Sequence, residues 1–331
     1  GCRWLINTPN SRARAARTYG ARPHFMSRPS ALSRLSGDEV GIIFEGLCNT
    51  VEPGVAVAFS SASHELRKQT QALWQQLRAE HEAAAALCLK LGMRSCKELR
   101  EATHIYSRNR GLSAADLGTL GSLVLGLPVL KSLILFESAP IFDGVQRLAE
   151  GLGADTLPAM TSLWLRMLHV GDAGASALAA ALARGALPRL EELCLAGVDI
   201  GDAGLVALAP GLRRRPALEW LSLDGNPFGD EGLAALVAPP PPAGALSPPT
   251  GGLKKLKALH LTNTKVSDAG CAALAAALDS GTLPALRKLK LKGSPVSASS
   301  MADVYEALAL AKSRRRAARA VPRALLVLSR C

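Results

Sequence analysis

The sequence predicts an α/β solenoid: a right-handed β-α superhelix with parallel strands on its concave face, preceded by a small all-α domain. Three observations carry this. A leucine triplet recurs six times between residues 127 and 310, at Leu130/Leu133/Leu135, Met160/Leu163/Leu165, Leu190/Leu193/Leu195, Leu218/Leu221/Leu223, Leu256/Leu259/Leu261 and Leu286/Leu289/Leu291, with starts spaced 30, 30, 28, 38 and 30 residues apart. Most triplets lead into Gly-Asp-Ala-Gly or a variant: Gly171–Gly174, Gly201–Gly204, Gly229–Gly232 and Ser267–Gly270. A run rich in leucine and alanine then follows, of which Ala175–Ala183 is typical.

Within each Leu-x-Leu the side chains alternate, so both leucines face one way, as in a short strand with one buried side. The aspartate of the glycine-framed motif is placed to cap the helix that follows, its carboxylate receiving the first free backbone N–H groups. One strand–helix unit cannot cover its own apolar face, whereas stacked copies can. The pattern resembles the leucine-rich-repeat family, and the long repeat with Gly-Asp-x-Gly is most similar to the ribonuclease-inhibitor-like subclass. The strand-end asparagine of that family stands only at Asn226, with Ser138, Leu168, Val198, Thr264 and Ser294 in the equivalent places. The resemblance implies a fold and a binding role, without naming the ligand.

The apolar share of 48% is ample for a core, and the 4% of aromatic residues suits thin repeat layers. The net charge of +12 is unevenly spread. Residues 1–37 hold seven arginines, and residues 311–331 hold six arginines and Lys312, both without an acid. Between them stand 25 basic and 27 acidic residues, so the repeat body is close to neutral. Nucleic acid is therefore expected only at the basic tails. Seven scattered cysteines without Cys-x-x-Cys suit buried thiols in a reducing compartment, cytoplasmic or nuclear. Leu117–Leu130 is an uncharged stretch of 14 residues, too short for a bilayer.

In chain order, residues 1–34 read as a basic disordered leader. Within them, residues 1–25 read as natural protein, a transit peptide or sequence upstream of a natural start at Met26. Residues 35–95 read as a helical domain. Val40, Ile43, Phe44 and Leu47 share a helix face that Asp38 is placed to cap, and a longer helix is expected from about Ser63 to Leu91, stopped at Gly92. The series Leu35, Val40, Ile43, Phe44, Leu47, then Val55–Phe59, Leu66-Arg67 and Leu73-Trp74, resembles an F-box. That resemblance implies docking on a Skp1-type adaptor of a ubiquitin ligase, with Leu35, Val40, Ile43, Phe44 and Leu47 in contact. The alternative is a helical cap closing the first repeat.

Residues 96–310 read as the solenoid. A degenerate first repeat has a strand at Thr103–Tyr106 and a capping box at Ser113–Asp116, and an insertion is expected near Pro140. Residues 238–252, with Pro239–Pro242 and Pro248-Pro249, read as an extended insertion that accounts for the 38-residue spacing. Residues 311–331 form a basic tail, within which Leu325–Leu328 is expected to pack as a last strand.

No catalytic constellation, metal site or cofactor site is evident, and an enzyme is not expected. His64-Glu65-Leu66-Arg67-Lys68 lacks a second zinc-helix histidine, and the repeated aspartates sit at cap spacing instead of in pairs. The functional residues expected are those alternating with the leucines on the inner curve: Ile134, Phe136, Trp164, Arg166, Glu192, Trp220, Asp224, His260, Lys288, Lys290 and Lys292. Aromatic and arginine side chains there are interface anchors, and the lysine row favours an acidic partner. The reading is of a monomeric protein-interaction scaffold that grips a polypeptide, with no membrane contact. Its narrower form is the substrate receptor of an SCF-type ubiquitin ligase. The alternative is a sensor or effector-binding repeat protein unrelated to ubiquitin.

Overall fold

The structure is a computed structural model and describes residues 35–50, 52–138, 141–238 and 252–328. The leader 1–34 and nearly all of the proline-rich insertion, 239–251, lie outside the described residues, as does Pro140. Seven parallel strands form one sheet in sequence order: β1 His104–Arg108, β2 Ser132–Phe136, β3 Ser162–Arg166, β4 Glu192–Ala196, β5 Trp220–Ser222, β6 Ala258–His260 and β7 Lys288–Lys290. The register aligns Ile105, Leu133, Leu163, Leu193, Leu221, Leu259 and Leu289 in one row across the sheet. Each is buried. Removing such a side chain from water contributes about 1.5–3 kcal/mol, so the repeated leucine drives the stacking that parallel strands require.

The convex side is built from α6 Ala114–Leu123, α7 Gly144–Glu150, α8 Gly171–Ala183, α9 Asp202–Arg213, α10 Asp230–Val237, α11 Asp268–Asp279 and α12 Ala298–Leu328. Ahead of the sheet stand α1 Gly37–Leu47, α2 Gly54–Ser61, α3 His64–Gln69, α4 Gln71–Lys90 and α5 Cys96–Glu101. Phe44, Ala56 and Leu77 form a small core of their own there, while Ala84, Leu87 and Cys88 further along α4 join the core of the repeats. One long helix was expected over Ser63–Leu91, but the chain breaks at Thr70. This residue is fully buried, and its hydroxyl donates to the Leu66 carbonyl at 2.7 Å and meets Ser60 Oγ at 2.8 Å. Gly92 ends α4 at φ +83°, as the spacing implied.

Capping differs from the expectation. Helix α1 is capped by Ser36 in a reciprocal box with Glu39, not by Asp38. The box at Ser113 and Asp116 forms as expected. The repeated aspartates do not cap their own helices; each reaches forward one repeat. Asp172 accepts from the Gly201 N–H at 2.7 Å. Asp202 accepts from Gly229 and Gly232 at 2.9 and 2.7 Å. Asp230 accepts from Ser267 and Gly270 at 2.8 and 2.9 Å, and Asp268 from Ser297 at 2.7 Å. A carboxylate at the start of one helix thus serves the orphan donors of the next. The closing glycine follows from this approach: a Cβ on Gly204 would lie 2.4 Å from Asp172 Oδ1, and one on Gly270 2.3 Å from Asp230 Oδ1.

At the opposite helix ends, arginines do the joining. Arg184 donates to the Leu152 carbonyl at 2.9 Å, and the buried Arg215 donates to the carbonyls of Leu182 and Leu187. These carbonyls lie at or just after helix C-termini, where the Arg215 guanidinium adds a second donor to the backbone's own. Leu325–Leu328 is helical, not a strand, because α12 runs without interruption from Ala298 to Leu328 through most of the residues read as a tail.

Candidate binding face

Residues flanking the core leucines point to the concave side of the sheet, and register sets their neighbours. Arg108, Phe136 and Arg166 are aligned on β1, β2 and β3. Both guanidiniums lie over the phenylalanine ring, with Cζ 5.0 Å and 5.9 Å from its centroid. Neither arginine forms an ion pair among the described residues. One step along the strands, Tyr106, Ile134 and Trp164 form the next row, with Tyr106 60% exposed.

Trp164 and Trp220 belong to strands separated by β4, yet their rings stack at 5.2 Å with 17° between planes. The edge of Trp220 then meets His260 at 5.3 Å. Cys194 on β4 pairs in register with Trp164 and is buried, which accounts for its thiol being pushed up by desolvation despite the nearby Arg166. His260 is only 6% exposed. Burial and then Lys290 lower its pKa below 6.5, against the pull of Asp224. His260 is thus a neutral support beneath the aromatic surface, not the open contact residue that alternation implied. Trp164 Nε1 and His260 Nε2 are buried without hydrogen-bond partners among the described residues.

Two carboxylates lie mid-face. Glu192 is exposed and accepts from Ser162 Oγ at 3.1 Å. Asp224 is half-buried and accepts from the Thr262 N–H at 2.6 Å and Ser222 Oγ at 3.0 Å. At the far end Lys288, Lys290 and Lys292 are all exposed, with no ion pair among the described residues.

The structure therefore brings Ile134, Phe136, Trp164, Arg166, Glu192, Trp220 and Asp224 onto one surface, with the lysines at its end. It adds Tyr106, which the expected strand held but the expected contacts left out, and Arg108, which lies beyond the expected strand end because β1 runs on to Arg108. It also adds Glu137, 2% exposed, which accepts from the N–H groups of Arg110, Gly111 and Leu112. Glu137 ties the first two repeats together as Asn226 ties later ones.

Among the proposed adaptor contacts, Val40 and Phe44 are buried at 1% and 0% and hold the helices together. Leu35 and Leu47 are half-buried, and Ile43 is 36% exposed. Neighbouring Ile42 and Val55 are more open, at 69% and 61%. No group of three His, Cys, Asp or Glu among the described residues is arranged to hold a metal ion. None of the described helices is long and apolar enough to cross a membrane.

A family model described as "Leucine Rich repeat" matches residues 218–237 and 252–275. No curated protein matches the chain. Among solved structures, internalin C2 from Listeria monocytogenes is similar at 19% identity and TM-score 0.37, over 67% of this chain and 88% of that one. Internalin F from the same organism is similar at 13% identity and TM-score 0.31, over 55% of this chain and 48% of that one. The family match falls on two of the strand–helix units whose leucines the sheet aligns in one row, so these two units are similar to leucine-rich repeats and the other strands share their register.

Proposed function

We propose that this protein is an interaction scaffold that takes a polypeptide along the concave face of residues 96–310. The observation that carries the reading is the placement of its large side chains. Tyr106, Phe136, Trp164 and Trp220 lie on the inner strand positions, and Arg108 and Arg166 on β1 and β3 have no carboxylate partner among the described residues. Aromatic and arginine side chains on a rigid surface are the residues that dominate protein interfaces, and a sheet needing only solubility would carry small polar residues there. The ribonuclease-inhibitor-like repeat type fits the same role. The test is photocrosslinking with p-benzoylphenylalanine placed at Ile134 or the exposed Glu192 and, on the convex side, at the exposed Ala180. Polypeptide adducts are expected from the concave positions; adducts only from position 180, or none, overturn the reading.

A narrower reading makes residues 35–95 an F-box-like adaptor module, and the chain a substrate receptor of an SCF-type ubiquitin ligase. The exposed Ile42, Ile43 and Val55 on α1 and α2 favour it, since three apolar side chains in water suit a partner helix. Recombinant Skp1-type adaptor is then expected to be retained by the protein and lost with Ile43→Asp. No retention, or retention unaltered by that substitution, leaves the helices as a cap.

A further inference from the structure

We propose that the occupant of the concave face is an extended peptide with acidic residues at two points about six residues apart and an apolar residue between them. This rests on the scaffold reading above and adds the chemistry of the partner.

The argument is from charge placement. Arg108 and Arg166 bracket Phe136 at one end of the sheet. Their guanidiniums are held by the ring and lack carboxylate partners among the described residues, so they are preorganised for an incoming carboxylate. Lys288, Lys290 and Lys292 form a second cationic end on and beside β7. Four strand spacings separate β3 from β7. At about 4.8 Å each they span about 19 Å, the length of about six extended residues. Between the ends, the half-buried pair of Trp164 and Trp220 offers an apolar seat on the part of its rings left open.

The middle of the face also discriminates. Glu192 is exposed there and repels a continuous polyanion. A nucleic-acid backbone, charged at every step, would have to pass over it, whereas a peptide can leave that stretch uncharged. The observations therefore favour an acidic–apolar–acidic peptide over a single-stranded nucleic acid.

The test is to pan a displayed library of random twelve-residue peptides on the full chain. Selected peptides are then synthesised with a fluorophore and titrated by anisotropy against the protein and its Arg166→Glu, Lys290→Glu, Trp220→Ala and Lys68→Glu variants. The last is a control on α3, and each variant is first checked for an unchanged denaturation midpoint. Selected peptides are expected to carry two acidic points flanking an apolar residue. They should lose at least tenfold in affinity with each of the first three variants and none with Lys68→Glu. Selection of neutral or basic peptides that depend on Trp220 overturns the charge inference and leaves the scaffold reading standing. Selection of no peptide overturns both. A twenty-residue oligothymidylate that binds the same face, loses affinity with Trp220→Ala and displaces the peptides also overturns the inference, in favour of nucleic acid.

Discussion

The Asp202 carboxylate receives the backbone N–H of Gly232 from the following repeat at 2.7 Å, and the same oxygen receives that of Gly229 at 2.9 Å. A forward contact of this kind is made by Asp172, Asp230 and Asp268 as well, so the motif that opens each of these helices is half of a lock whose other half lies one repeat on.

The lock predicts a specific non-additivity. Gly270→Ala places a methyl 2.3 Å from Asp230 Oδ1, and the carboxylate cannot retreat without releasing Ser267 and Gly270. Asp230→Ala leaves those donors unpaired, at a cost of about 1–3 kcal/mol. In the double variant the contact with the carboxylate is gone and only the one with Val266 Cγ1 at 2.8 Å, a side-chain methyl, remains, so its loss should be smaller than the two single losses added together, by about 1 kcal/mol or more. Urea denaturation of the four proteins measures this; strict additivity would show that the contact does not shape the fold. Gly232→Ala, with 3.0 Å to Asp202, should be milder than Gly270→Ala.

Acid stability should fall in two steps. Burial, then Lys290, depress His260 below 6.5 in the folded protein. The unfolded chain therefore takes up this proton first, and stability is lost as the pH falls from about 6.5 toward the folded value. For Asp230, burial opposes the shift, but hydrogen bonds from the Ser267 hydroxyl, the Ser267 N–H and the Gly270 N–H outweigh it and hold the carboxyl below 3.8. Its contribution is complete above the unfolded value and disappears as the pH falls through the folded one. Denaturation midpoints from pH 8 to 2 should show both steps. His260→Gln should remove the upper step and Asp230→Asn should reduce the lower; an upper step unchanged by His260→Gln would assign it elsewhere.

How much was legible follows from how local each signal is. The leucines announce themselves because strand alternation and repeat length are both periodic in sequence, and the sheet aligns them. An aspartate before a helix looks the same whether it serves its own helix or the next, so only the structure assigns the acceptor. Val40, Ile43, Phe44 and Leu47 share one helical stripe in sequence, yet packing buries Val40 and Phe44 and leaves Ile43 at the margin. Trp164 and Trp220 stack although 56 positions separate them and β4 lies between. The shorter third interval shifts nothing in the leucine row, but the two tryptophans occupy different strand offsets, and no periodicity signals that their rings meet.

Asn226 fills the strand-end asparagine place of its repeat, and it should be costly to remove. Its Nδ2 donates to the carbonyls of Leu195 and Leu223 at 2.6 and 2.8 Å. Its Oδ1 accepts from Val198 and Ile200 at 3.2 and 3.1 Å, and the residue is 1% exposed. Asn226→Ala leaves buried backbone groups of two repeats unpaired and should cost about 3 kcal/mol or more. Asn226→Asp keeps the acceptor but sets a carboxylate against two carbonyls, so it should not rescue. Thermal denaturation decides this; a shift of the alanine variant no larger than that of an exposed control such as Ser176→Ala would remove the structural role assigned to the side chain.

The cysteines should separate sharply in reactivity. Cys48 is exposed, whereas Cys88, Cys96, Cys194 and Cys271 are buried. The Sγ atoms of Cys88 and Cys96 lie 3.9 Å apart, near enough to suggest a disulfide, but burial followed by the neighbouring thiol pushes Cys88 up to about 12. Thiol exchange and alkylation proceed through the thiolate, and at pH 8 only about one such thiol in ten thousand is ionised. The pair should therefore stay reduced under mild oxidant while the fold is intact. Iodoacetamide at pH 8, followed by peptide mapping, should modify Cys48 ahead of the four buried positions. The four buried positions should react only when urea opens the repeats, and Cys88 should become reactive along the same unfolding curve that fluorescence follows. Native-state labelling of Cys88 at the rate of Cys48 would mean that the junction between α4 and α5 opens independently of the solenoid, and the helices ahead of the sheet would then not be anchored by its core.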